Sequence, residues 1–175
     1  MTDLDIAQSI VDAQSGGAQS AQSALGDDAA SAAPMISSVS VLSWNNDDGD
    51  HPDLAVNMID QNPETSWRSR YFDINAFDEN ATVTIVVNLE GPALVSGVTL
   101  QMDPSTQGGE VVVRNVTDPS NPRGGTELAT SALSESTVIS LPEPTEASAI
   151  ALSFRVMPTS VDGRPWAWVS ELSVQ

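Results

Sequence analysis

The sequence predicts an all-β fold, a sandwich or a barrel. Two observations carry that prediction. First, the chain holds several short β-branched runs that alternate with period two. Val83, Ile85, Val87 and Leu89 share one face, with Thr84 and Asn88 opposite; Ile150, Leu152, Phe154 and Val156 share another, with Ala151, Ser153 and Arg155 opposite. That is the period of a half-buried strand. Second, stretches rich in Pro, Gly, Asn, Asp and Ser separate the runs, and no long amphipathic helical pattern interrupts them. Many short strands with frequent turns fit a sandwich or barrel.

The elements follow in order. Residues 1–34 are Ala, Ser, Gln and Gly with a few acids and no aromatic residue. Such a segment buries too little apolar surface to offset an ordering cost of about 1–2 kcal/mol per residue. It reads as a flexible tether; the alternative is a helix through Leu4, Ile6, Ile10 and Val11 that docks on the domain. Pro34 closes it, and a domain over 35–175 begins. Strands are expected at 35–44, 82–89, 94–102, 110–116, 137–141, 149–156 and 166–174. Turns fall at 45–53, 91–92, 103–109, 118–125, 142–145 and 158–165.

Composition narrows function. The 175 residues contain 24 acids against 6 basic residues, for a net charge of -18, and every basic residue is arginine. A broad basic surface for nucleic acid is excluded, and anionic membrane is an equally poor partner. With no cysteine there are no disulfides, thiolate metal sites or cysteine nucleophiles. No apolar run is long enough to span a bilayer, and no basic segment leads into a secretory h-region. If the protein works outside the cell, this chain is expected to be part of a longer one. No Ser/His/Asp arrangement, phosphate-cradling loop or zinc-type His pair stands in the sequence, so a non-enzymatic role is expected.

One segment carries a family likeness. Ala55-Val56-Asn57-Met58-Ile59-Asp60-Gln61-Asn62-Pro63-Glu64-Thr65-Ser66-Trp67 resembles the A-x-x-A-I-D-G-N-P-x-T-x-W signature of galactose-binding-like domains, also called discoidin or factor 5/8 type C domains. The ending Trp168 to Val174 looks like their terminal strand, where a Glu precedes an aliphatic residue. The resemblance covers 36–175 and implies an eight-stranded jelly-roll sandwich. Gln61 departs from it, standing where the pattern has Gly. The order Asp48-Gly49-Asp50, Pro52, Ile59-Asp60, Trp67, Tyr71, then a V-x-x-V-T-L strand at 95–100 and a V-x-V-R strand at 111–114, is most similar to the C-terminal extracytoplasmic domain of actinobacterial MviN/MurJ-type lipid II flippases.

The resemblance implies a structural Ca²⁺ held by Asp60, Thr65 and Glu171, oxygen donors suited to a hard cation. The competing reading has Asp60 capping its turn and Glu171 paired with an Arg. Trp67 reads as a core anchor rather than a sugar platform. The acidic run 46–50 lacks the spacing of an EF-hand and reads as a solvated loop, with His51 beside it at the surface. Arg68 and Arg70, placed by alternation opposite Trp67 and Tyr71, either clamp an anion bidentately or neutralise Asp47, Asp48, Asp50 and Asp73. Arg164 lies in a turn expected near Trp44. Trp168 is expected in the core and Trp166 exposed. A loop Trp with nearby Arg and Asp suits sugar recognition. Ligand contacts are therefore expected from Trp44, Arg68, Arg70, Arg164 and Trp166.

The leading expectation is a binding module on the extracytoplasmic face of a cell-envelope membrane protein, taking glycan, peptidoglycan or its lipid-linked precursor. Two alternatives stand beside it: a protein-docking domain in a cell-wall synthesis complex, and a carbohydrate-binding module of a secreted glycosidase. Convergence of Trp44, Trp166, Arg68 and Arg164 on one exposed cleft would separate the first from the second.

Overall fold

The computed structural model describes residues 33–175. The tether read from the sequence lies outside the described residues, except for Ala33 and Pro34. The strands are β1 (Ile36–Leu42), β2 (Trp67–Arg68), β3 (Thr84–Met102), β4 (Thr106–Gln107), β5 (Glu110–Asn115), β6 (Thr126–Ala132), β7 (Ser136–Val156), β8 (Thr159–Ser160) and β9 (Trp168–Val174). All pairings are antiparallel. No helix among the described residues is long and apolar enough to cross a membrane.

β3 and β7 are long because each serves two layers. The first half of β3 pairs with β1 and with the second half of β7, which continues to β5 and then β6. The second half of β3 pairs with the first half of β7 and with β9, which carries β2. Breaks in register between Asn88 and Ala93, and between Val95 and Gly97, mark the crossing. By segment, five strands form one layer and three the other, with β2 as a short added edge. This is the eight-stranded jelly roll that the resemblance implies.

The core lies between the layers. Ile85, Val87, Val111, Val113, Ile150, Leu152 and Phe154 from the first meet Val98, Leu100, Met102, Ile139, Val169 and Leu172 from the second. Apolar area removed from water stabilises such a core by about 25 cal/mol per Å². Trp67 is fully buried, with its ring stacked on Phe154 at 6.3 Å. Its role as a core anchor follows.

The outer face of the five-stranded layer departs from the alternation rule. Thr84, Ala151 and Ser153, expected to face solvent, are buried. The connections on either side explain it. Thr84 and Ser153 hydroxyls meet at 3.0 Å. Over them lies Arg123, its Nε donating to the Thr82 carbonyl at 3.0 Å and its Nη atoms to Asn46 Oδ1 and the Ser43 carbonyl, each at 2.9 Å. Burial pushes the Arg123 pKa down, yet a guanidinium stays protonated; neutral oxygens alone hold this charge. Beside it, Glu79 accepts from Arg114 at 2.7 Å and from Arg155 Nε at 2.8 Å. β6 was not expected as a strand. Its sequence TELATSA has one large aliphatic residue, and as an edge it pairs only with β5, mostly in solvent.

Candidate functional site

β1, β3, β7 and the start of β9 deliver their loops to one end of the sandwich, so 43–53, 67–83, 103–109 and 157–167 gather there. The segment after β2 runs beside the one before β9. The Ser69 amide donates to the Ala167 carbonyl at 2.9 Å, and the Phe72 amide to the Pro165 carbonyl at 2.8 Å.

Asp50 holds the first group of side chains. Its carboxylate is completely buried. Oδ2 accepts from the Trp44 amide at 2.9 Å and from Arg70 Nη2 at 2.9 Å, while Oδ1 accepts from the Arg70 amide at 3.0 Å. Its carbonyl accepts from Trp67 Nε1 at 2.8 Å, linking the loop to the core anchor. The expectation of a solvated loop is therefore corrected at Asp50: three donors satisfy the carboxylate, one of them the guanidinium that pairs with it. Arg70 also pairs with Asp47, and the two carboxylates raise its pKa well above the ordinary arginine range. Gly49 makes room for this: a Cβ there would collide with the Arg70 guanidinium. Arg70 is thus committed to the acids of the 43–53 loop, the neutralising alternative. Its guanidinium sits 5.8 Å from the ring centroids of Trp44 and Phe72, which meet edge-on at 6.2 Å. Trp44 keeps 40% of its surface exposed.

The second group is a stack. Tyr71 lies against Trp166 at 4.3 Å with an interplanar angle of 26°. Arg68 sits 5.8 Å from the Trp166 centroid and Arg164 sits 5.3 Å from that of Tyr71. Trp168 tilts against Trp166 at 5.0 Å and donates its Nε1 to Ser66 Oγ. Two expectations are reversed here. Trp166 is only 5% exposed, and Trp168 is half-buried rather than core. The pairing goes out of step after β2, with three residues from Ser69 to Phe72 against two from Ala167 to Pro165, and Arg68 and Tyr71 meet at one ring instead of facing opposite ways. With its faces taken by Tyr71 and Arg68, Trp166 supports the stack and offers no open ring face.

Of the chosen ligand set, Arg68, Arg164 and Trp166 come together, and Trp44 with Arg70 forms the neighbouring group; consecutive Tyr71 and Phe72 join the two. Sequence reasoning left Tyr71 out of that set, although it is 46% exposed. The interleaved Trp67-Arg68-Ser69-Arg70-Tyr71-Phe72 is the signal that pointed to it.

Asp60, Thr65 and Glu171 lie elsewhere. Asp60 Oδ1 accepts from the Asn62 amide at 2.9 Å, and Oδ2 accepts from the Thr65 hydroxyl at 2.7 Å, so the turn is capped as the competing reading has it. Gln61 adopts φ +61°, the left-handed region that explains the Gly of the family pattern. Glu171, by contrast, has no arginine partner among the described residues. Its Oε1 is buried without a hydrogen bond. Burial and the nearby Asp60 charge push its pKa up. It borders a cavity of about 330 Å³ that Ile36, Ile59, Gln61 and Leu172 also line. The described residues bring no group of three or more His, Cys, Asp or Glu side chains together; what stands here is two neighbouring carboxyl groups, one with an unsatisfied oxygen.

No protein-family model matches the chain, and no curated protein does. Solved structures do match. The family 32 carbohydrate-binding module of AlyQ, in complex with 4,5-unsaturated mannuronic acid, superposes with a TM-score of 0.58 at 17% identity, covering 82% of this chain and 98% of that one. The family 32 module of Clostridium perfringens NanJ, in complex with galactose, gives 0.55 at 20% identity, covering 78% and 91%. Chitosan-binding module 1 from a Paenibacillus sp. IK-5 chitosanase/glucanase gives 0.54 at 17%, covering 81% and 96%. The fold is the galactose-binding-like β-sandwich.

Proposed function

We infer that this domain is a non-catalytic glycan-binding module whose ligand site is the loop end built by Trp44, Arg68, Tyr71 and Arg164. The observation that carries it is the gathering there of an exposed Trp, an exposed Tyr and two exposed arginines on a rigid jelly roll. Apolar ring surface beside fixed hydrogen-bond donors matches a sugar, which has apolar C–H faces and a hydroxyl rim. The fold shared with carbohydrate-binding modules supports the reading, although fold alone does not fix function.

Titration calorimetry against galactose, chitosan oligosaccharides, oligouronates and peptidoglycan fragments tests it. At least one glycan binds, and Trp44→Ala weakens that binding about tenfold, or about 1.4 kcal/mol, with the fold intact by circular dichroism. A well-folded domain that takes no glycan would favour protein docking instead.

The finer context rests on the sequence resemblance. It puts the module on the extracytoplasmic face of a cell-envelope membrane protein of the MviN/MurJ type, with peptidoglycan or its lipid-linked precursor as ligand. A module attached to a secreted glycosidase is the second reading; the match to a Ruminococcus gnavus GH29 fucosidase, where the aligned part covers 24% of that chain, supports it.

Asp60, Thr65 and Glu171 would hold a structural Ca²⁺, supplying charge neutralisation at Glu171 and rigidity to the turn. A cation bound only to the folded state stabilises it by about 2.7 kcal/mol at one hundred times its Kd. Added Ca²⁺ should raise the melting temperature by several degrees in the parent chain and leave Glu171→Gln unmoved. Equal melting with Ca²⁺ and with chelator would remove the metal.

A further inference from the structure

The six arginines do not share one fate. Arg70, Arg114 and Arg155 form ion pairs, and Arg123 is buried among neutral oxygens. Arg68 and Arg164 have neither an ion pair nor a side-chain hydrogen bond among the described residues, in a chain with 24 acidic side chains. Both are exposed, and both are set by the same stack, one against Trp166 and the other against Tyr71.

A guanidinium that lies over an aromatic ring uses its face, not its edge. Cation–π contact therefore fixes the side chain while leaving the in-plane N–H donors free. Those donors form the planar fork that matches a carboxylate. Each guanidinium is set at a different ring of the Tyr71–Trp166 pair, Arg68 at Trp166 and Arg164 at Tyr71. The two forks suit separate carboxylates along one extended ligand.

We propose that the Arg68–Trp166–Tyr71–Arg164 stack selects acidic glycans, linear uronic-acid oligosaccharides whose carboxylates engage the two arginine forks. This deepens the glycan reading and rests on it. The net charge of -18 opposes any polyanion at long range. At physiological ionic strength that repulsion is screened beyond about 8 Å, whereas a bidentate contact at the stack acts at hydrogen-bond distance. A local built site is then what allows an acidic ligand to bind this chain at all.

The test compares a galacturonate hexasaccharide with its fully methyl-esterified form, the same sugar without charge, by titration calorimetry on the full chain. The acidic form should bind at least tenfold more tightly. Arg68→Gln and Arg164→Gln should each weaken the acidic form at least fivefold more than they weaken the ester; both side chains are exposed, and thermal melts confirm folding. Equal binding of acid and ester, or binding of neutral glycans alone, overturns the acidic selectivity and leaves the glycan reading standing. Absence of binding to every glycan in the wider panel overturns both. Arginine variants that weaken acid and ester alike overturn the carboxylate contacts.

Discussion

Replacing Trp67 with alanine should cost the domain about 3–5 kcal/mol, a large share of the 5–15 kcal/mol that holds a typical domain folded. The ring is completely buried and stacked on Phe154, so its removal opens a cavity in the core. Trp67→Phe separates the contributions. It keeps an aromatic ring in the core but removes the Nε1 donor to the Asp50 carbonyl. Leaving that buried acceptor unsatisfied costs about 1–3 kcal/mol, beyond whatever the smaller ring loses. Urea denaturation of both variants measures this. A Trp67→Ala midpoint close to that of the parent chain would mean that Trp67 does not anchor the core.

Asp50→Ala should be comparably damaging, for an electrostatic reason. The substitution strands a partly buried guanidinium and leaves the Trp44 and Arg70 amides without their acceptor. Removing one partner of a buried pair costs about 3–5 kcal/mol, somewhat less here because Asp47 remains beside Arg70. The effect should also reach the site: Trp44 loses the contact that sets its backbone, so its near-ultraviolet dichroism should flatten. Asp50→Ala/Arg70→Ala should be less destabilised than the two single costs added together, since the orphaned charge is gone. Additive losses would show that the two residues act independently.

The parts of the fold that sequence could reveal were those with strong period and strong composition. Val83 to Leu89 and Ile150 to Val156 alternate cleanly, and their large aliphatic residues do face the core. The opposite face misled because alternation registers polarity, not coverage. Thr84 and Ser153 are polar yet buried, satisfied by each other and roofed by Arg123, a contact spanning 39 residues that no local pattern carries. β6 was hidden for the converse reason, as a weakly apolar strand that an edge position tolerates. At the loop end, residue types were readable and partners were not. Nothing in Asn46-Asp47-Asp48-Gly49-Asp50 says which acid turns inward; only the meeting with Arg70 and the Trp44 amide does. Trp168 leaves the core because the register of β9 shifts where Met102 pairs with Val169 after Gln101 pairs with Glu171, so that Val169 joins Leu172 in the core; Trp166, expected in the open because it lies near the loop, is covered there by Tyr71 and Trp168.

The central claim is that ligand binds at this loop end. An amide NMR titration of the full chain with glycans that bind by calorimetry tests it most directly. The account predicts shifts confined to residues around Trp44, Arg68, Tyr71 and Arg164, with the Asp60 and Glu171 region responding only to Ca²⁺. Shifts centred instead on β6, or on the opposite end of the sandwich around 89–93 and 141–147, would contradict it.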